Sequence, residues 1–231
     1  GGVERFVEKP SWGQVVTDQI NTGIYLLSPA AMKRVPEERP WDFGKDLFPA
    51  LLQAGEPLYG CPLEGYWCDM GDCPAYLQCV CDALTGKVSL DLGLPQLAQG
   101  VWSAQPLPAA AQLVPPCWIG DGVTIGAGAV VGPCTVLESR ATGGEKAGIQ
   151  PSLLLAGASG DVRATLHGAI LSPGASAQRG SVLQEGAVLG ENALVEEGAV
   201  LLERVRLWPG QCAPAGCRLA RSITSGSQKG I

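Results

Sequence analysis

Gly180-Ser181-Val182-Leu183-Gln184-Glu185-Gly186-Ala187-Val188-Leu189-Gly190-Glu191-Asn192-Ala193-Leu194-Val195-Glu196-Glu197-Gly198-Ala199-Val200-Leu201 repeats every six residues. Leu183, Leu189, Val195 and Leu201 are spaced by that period, and Gly186 and Gly198 stand three places after a hexad start. Asn192 takes the glycine place once, as suits a residue that tolerates the left-handed region. Six residues are too few for a helix and a turn. They suit a short strand whose aliphatic residue points inward and a corner that turns at positive φ. One such unit buries almost nothing, so stability requires a stack of them.

The period extends in both directions. Ile119, Ile125, Val131 and Leu137 obey it upstream, with Gly122 and Gly128 after the first two. Leu171, Leu207 and Leu219 extend the second phase, with Gly174, Gly180, Gly210 and Gly216 at its glycine places. Between the two phases the register slips across residues 139–150, a polar, glycine-containing stretch that reads as a loop or a damaged coil. Phase-locked apolar positions argue against a flexible Gly/Ala-rich tail. The pattern resembles the hexapeptide repeat of left-handed parallel β-helices, three hexads to a coil, which implies four to five coils. Residues 116–231 are assigned to that helix and residues 87–115 to a linker and first coil.

Composition agrees. Among 231 residues, glycine (32) and proline (18) are abundant and aromatics are only 6 %, which suits many short strands and tight turns. The net charge of −6 lacks a basic stripe, so nucleic acid is not an expected partner. No apolar run approaches the ~18 residues of a membrane span. Nine cysteines offer a disulfide framework or a metal site. Their odd number, the absence of a Cys-x-x-Cys pair and the isolation of His167 favour reduced, mostly buried thiols and hence a cytoplasmic location.

Residues 1–86 follow a mixed α/β grammar. Residues 15–27 read as a strand pair around residues 21–23, and residues 59–69 as a strand and turn. Residues 29–34 read as a short helix capped by Ser28 with Pro29 at its first position. Residues 42–53 read as a second helix, with Asp42 its cap and Asp46 a first-turn charge. Residues 74–84 read as a third, capped by Asp72 and ended by Gly86. The opening residues read as a cut within a domain, and the chain as a piece of something longer.

Several motifs stand in order here: Phe6-x-Glu8-Lys9-Pro10, Asn21-Thr22-Gly23-Ile24-Tyr25, residues 42–49, Gly65-Tyr66-Trp67-Cys68-Asp69-Met70-Gly71, and Pro74-x-Tyr76-Leu77. Together they resemble the C-terminal half of the sugar-1-phosphate nucleotidyltransferase family, whose members join an NTP and a sugar 1-phosphate and release pyrophosphate. The resemblance implies a partial Rossmann-like α/β domain followed by the all-β helix. It also implies Lys9 as the cation on the sugar phosphate and Glu8 as acceptor for sugar hydroxyls. Asn21, Thr22 and Gly23 become a substrate-binding turn, and Asp69 a ligand of Mg²⁺. Lys9 and Asp69 are the expected catalytic pair, with Tyr66 and Trp67 as pocket wall or core.

Residues 101–219 resemble the C-terminal region of bacterial mannose-1-phosphate guanylyltransferase-like proteins through Pro116-x-Trp118-Ile119-Gly120-Asp121, His167-Gly168-Ala169-Ile170-Leu171 and Leu207-Trp208-Pro209-Gly210. Residues 221–229 resemble the point where some relatives lead into a phosphohexomutase-like domain. The family's N-terminal nucleotide-binding half has no counterpart in these residues, so the 231 residues alone are expected to lack activity. Adenylyl, thymidylyl and uridylyl enzymes for glucose 1-phosphate share the same motifs and remain alternatives. So do a hexapeptide-repeat acyltransferase using His167 as base and a non-catalytic structural or regulatory β-helix, for which self-association is the expected partnership.

Overall fold

The computed structural model describes residues 1–7, 11–15 and 17–224. The chain forms two compact units, Gly1–Gly65 and Tyr66–Ile231.

The first unit gathers around Leu47, Phe48 and Leu51, which are buried, with Phe6, Tyr25, Leu27 and Trp41 packed against them. Phe48 meets Phe6 and Tyr25 edge-on, with ring centroids 5.0 and 4.9 Å apart, a geometry the ring quadrupoles favour. The expected helices form. Helix α1 (Pro29–Met32) is capped by the Ser28 hydroxyl, which accepts from Ala31 N. Asp42 Oδ1 accepts from Lys45 N at 2.9 Å, and Asp46 Oδ2 reaches back to Asp42 N at 2.9 Å. This reciprocal cap satisfies two otherwise orphaned donors. It opens a π-helical turn, Phe43–Leu47, that runs into α2 (Phe48–Gln53).

The strand readings fail. Among the described residues, 15–27 hold no strand, and residues 59–69 contribute only an isolated antiparallel bridge between Tyr59 and Gly2. Tyr25 and Leu27 turn into the core while Ile24 and Leu26 are exposed, so the alternation of a strand is present. A ladder also needs a neighbouring chain to take its backbone groups, and none lies alongside among the described residues.

The second unit begins with residues 66–71 and helix α3 (Cys73–Leu84), capped by Asp72 Oδ1 on Ala75 N at 2.8 Å. Gly86 follows at φ 78°. After a connector, strands of two or three residues wind into a parallel β-helix with three sheets of eight, seven and six strands. One strand of the eight, Gln96–Ala98, is antiparallel and closes the end of its sheet on Val101–Ser103. The other seven, from Val101–Ser103 to Arg206–Leu207, are successive rungs, which corrects the expected four to five coils.

The coil repeat explains the undercount. Val188 pairs with Arg206 and Ile170 with Val188, eighteen residues apart. Val136 pairs with Leu153 and Leu153 with Ile170, only seventeen apart. Residues 139–150 are therefore not a damaged coil. Thr142–Gly143 and Gly148–Gln150 are regular strands in register with Thr124–Ile125 and Val130–Val131. The slip comes from two corners short by one residue, at Pro151 and at Gly168, stacked on the same edge of the helix.

Inside, Ile119, Leu137, Ile149, Leu154, Leu166, Leu171, Leu183, Leu189, Leu201 and Leu207 are essentially fully buried. Two residues before each inward aliphatic, a small residue also faces in. Ala129, Ala141, Ala147, Ala158, Ala164, Ala187 and Ala199, all buried, fill this second column, as the two-residue period of a strand requires. The corner at Asn192 has φ 54°, as read from the sequence.

The cysteine expectation is corrected. Cys81 on α3 and Cys134 at a corner form a disulfide, with Cα atoms 4.8 Å apart. Of the free thiols only Cys117 is buried, whereas Cys61 and Cys212 are exposed. Residue separation hid the pairing, because the path of α3 along the β-helix brings together positions 53 apart in sequence.

Candidate functional site

In the first unit, residues 21–25 form a tight turn locked by their own side chains. Asn21 Oδ1 accepts from Gly23 N at 3.0 Å, and Asn21 Nδ2 donates to Tyr25 Oη at 2.6 Å. Gly23 sits at φ 77° with open space where a side chain would be. The Asn21 amide is thus committed to shaping the turn, a known preference of asparagine, and the unoccupied face at Gly23 leaves its backbone approachable. Thr22 is half-buried. Glu8 and Lys9 lie outside the described residues.

In the second unit, Asp69 is exposed, and its carboxylate has no hydrogen-bond or ion-pair partner among the described residues. Gly71 permits its orientation, since a Cβ there would come within 3.3 Å of Asp69 Oδ1. The segment bearing Asp69 is anchored three residues upstream. Tyr66 Oη donates to Asp82 Oδ2 at 3.0 Å, while Asp82 Oδ1 takes Gln78 Nε2 at 2.9 Å and Lys87 Nζ at 2.7 Å. Asp82 is nearly buried. The Lys87 ammonium first, then the Gln78 amide, hold its carboxyl below the ordinary carboxylate range. Desolvation and the bond to Asp82 push the Tyr66 hydroxyl well above its usual value, so it stays a donor. Tyr66 therefore serves as an anchor, and Trp67 beside it is half exposed. Sequence reading missed Asp82 because a charged residue late in a helix ordinarily faces water.

Magnesium is bound through one or two carboxylates, with water and phosphate oxygens completing its octahedron. A single uncommitted carboxylate such as Asp69 fits one of those positions. No group of three or more His, Cys, Asp or Glu side chains able to hold a metal occurs among the described residues.

On the β-helix, His167 ends the strand Thr165–His167, paired with Gln150, and is exposed. It has no hydrogen-bond partner among the described residues, and a general base needs an orienting group. No helix among the described residues is long and apolar enough to cross a membrane.

Three capped helices in order and an exposed aspartate on an anchored segment thus precede a parallel β-helix built on hexapeptide repeats. Comparison with known proteins agrees. Residues 1–86 match the family model described as Nucleotidyl transferase. A UTP–glucose-1-phosphate uridylyltransferase of Synechocystis sp. is 29 % identical over 148 residues, covering 59 % of this chain and 38 % of the relative. Mannose-1-phosphate guanyltransferase beta-A of Xenopus laevis is 41 % identical over 81 residues, 35 % of this chain and 21 % of the relative. The chain thus spans well under half the length of these relatives. Among solved structures, WeeI from Acinetobacter baumannii AYE matches with TM-score 0.35 and 16 % identity, over 78 % of this chain and 90 % of that one. Residues 1–86 are thus similar to the Nucleotidyl transferase family model, and the chain continues into a parallel β-helix.

Proposed function

We propose that the full-length gene product, to which these 231 residues contribute, catalyses the joining of an NTP to a sugar 1-phosphate, with GTP and mannose 1-phosphate as the pair. A phosphate oxygen of the sugar attacks the α-phosphorus of the nucleotide. The bond to the β-phosphate breaks, and pyrophosphate leaves. Lys9 would neutralise the sugar's phosphate, Glu8 would accept from its hydroxyls, and the turn at Asn21, Thr22 and Gly23 would offer backbone donors. Asp69 would hold Mg²⁺, which supplies charge neutralisation at the α-phosphate. The observation that carries the reading is the Asp69 carboxylate, exposed and without a protein partner among the described residues. It sits on a segment whose other end is fixed through Tyr66 and Asp82.

The guanylyl and mannose choice rests on relatives such as the Xenopus enzyme; the cyanobacterial uridylyltransferase supports glucose 1-phosphate and UTP as the second reading. Nucleotide substrates of this kind agree with a cytoplasmic location, and the exposed sheets of the β-helix with self-association. The test is pyrophosphate release by the full-length gene product with each NTP and sugar phosphate. Asp69→Asn should cut turnover about a hundredfold or more while leaving the fold intact, the scale of a lost charge-stabilising group. Unchanged turnover in Asp69→Asn removes Asp69 from the chemistry, and no turnover with any pair ends the transferase reading.

A further inference from the structure

The seven- and eight-stranded sheets of the β-helix meet along one edge. Both one-residue-short corners, at Pro151 and Gly168, fall there on adjacent coils. Helix α3 lies along this edge, and between them runs a groove of about 430 Å³ lined by Pro74, Leu77 and Gln78 on one side and Pro151, Gly168 and Arg204 on the other. The Cys81–Cys134 disulfide lines it too.

Cys134 sits at a corner with φ 50°, in the left-handed region that other corners fill with glycine, with Asn192 or with the basic residues Arg140, Lys146, Arg163 and Arg204. A cysteine does nothing for that turn that glycine would not do better. Its side chain is accounted for by its partner. Cys81, in turn, immediately precedes Asp82, the residue that gathers Tyr66, Gln78 and Lys87. The cross-link thus joins the β-helix to the turn of α3 that anchors the segment leading to Asp69.

We propose that Cys81–Cys134 is a reversible thiol–disulfide exchange site that takes a dithiol reductant through this groove. Its redox state sets how firmly α3 is held on the β-helix. In the reduction, the thiolate of the dithiol attacks one sulfur and the Cys81–Cys134 bond breaks. The second thiol of the reductant then resolves the mixed disulfide. Two electrons and two protons pass from the dithiol, which leaves as a disulfide, and two protein thiols remain. Both cysteines are half-buried and open on the groove rather than sealed in the core, so the sulfurs are within a reductant's reach. Cys117, packed inside the β-helix, is not. The proposal stands independently of the transferase reading; only its consequence for Asp69 draws on that reading.

The test uses the full chain purified without reductant. Alkylation followed by peptide mass spectrometry should leave Cys81 and Cys134 unmodified and cross-linked, while Cys61 is labelled. After dithiothreitol treatment of the native protein both should be labelled, and amide exchange across residues 73–84 should accelerate by about tenfold as local opening becomes easier. Cys134→Gly gives the corner its favoured residue, so the β-helix should keep its far-UV spectrum. Helix α3 should then exchange at the reduced rate with or without dithiothreitol. The proposal is overturned if both cysteines are alkylated before reduction or if the native protein resists dithiothreitol. It is overturned equally if α3 exchanges alike in the oxidised, reduced and Cys134→Gly forms.

Discussion

Gly160 is the position where the grammar of the repeat and the packing of the coil make opposite predictions. It occupies the inward place in the strand Ser159–Gly160, where other hexads carry leucine, isoleucine or valine, and its backbone is not in the left-handed region. Restoring the consensus with Gly160→Leu should, on area alone, stabilise by about 1.5–3 kcal/mol. The coil has no room for it. A Cβ on Gly160 would lie 3.0 Å from Leu166 Cδ1 and 3.8 Å from Ile149 Cδ1, both from the neighbouring sheet. The next inward residues in the same sheet are Gly143 and Ala177, also small. Leucine would add further carbons to occupied space, and overpacking of that kind costs about 1–3 kcal/mol. Gly160→Ala is different. Its methyl displaces only the end of a flexible side chain, and the loss of unfolded-state freedom returns about 0.4–1 kcal/mol, so the change should be near neutral. Urea unfolding by far-UV circular dichroism gives the ranking. Exchange at residues 142–143, 159–160 and 176–177 guards against partial unfolding, which solenoids allow. Leu166→Ala, itself destabilising by about 2–5 kcal/mol, should rescue part of the Gly160→Leu loss, a coupling expected between residues in contact. A higher urea midpoint for Gly160→Leu than for the parent would refute the claim that Leu166 and Ile149 fill the space.

Asp72→Ala removes the side-chain cap on Ala75 N and should cost about 0.5–2 kcal/mol, read as faster exchange in α3 and a lower midpoint. The Asp82 carboxyl is depressed in the folded state, chiefly by Lys87. Its contribution is therefore full above the unfolded value near about 4 and is lost as pH falls through the folded one. Acid should loosen α3, seen by Trp67 fluorescence, and Lys87→Met should move that transition to higher pH. Burial pushes the Cys117 thiol up to about 11. Alkylation near neutral pH should therefore spare it until the β-helix unfolds, while the exposed Cys61 reacts at once.

What the sequence revealed depended on how far apart the interacting groups lie. The caps at Ser28, Asp42 and Asp72 were legible because each side chain reaches a donor three residues on. The aliphatic column was legible because a coil stacks equivalent positions on one another. The coil count was not, for two physical reasons. Inward glycine and alanine at 143, 160, 177 and 213 carry no hydrophobic signal of their own, and the short corners at Pro151 and Gly168 shift the phase twice. A signal was nevertheless present. A small residue, most often alanine, stands two places before the inward positions and continues through Ala141, Ala147, Ser152, Ala158 and Ala164, where the leucine pattern lapses. Tracking both inward columns would have kept the register.

The candidate site divides along the same line. Asp69 and the turn at Asn21–Gly23 are candidates that motifs alone nominate, since a motif is read from neighbouring residues. Motifs do not nominate Asp82, because its partners Tyr66 and Lys87 are brought to it by the path of the chain. Yet Asp82 decides what kind of residue Tyr66 is. A tyrosine whose hydroxyl is spent on a buried carboxylate fixes the backbone ahead of Asp69 instead of lining a pocket. A free carboxylate can serve a dication only if its main chain does not drift. The dependence therefore runs from Lys87 and Gln78 through Asp82 to Tyr66 and on to Asp69. Weakening any link in that order should loosen residues 66–71 before it disturbs the β-helix, whose aliphatic and alanine columns make no use of it.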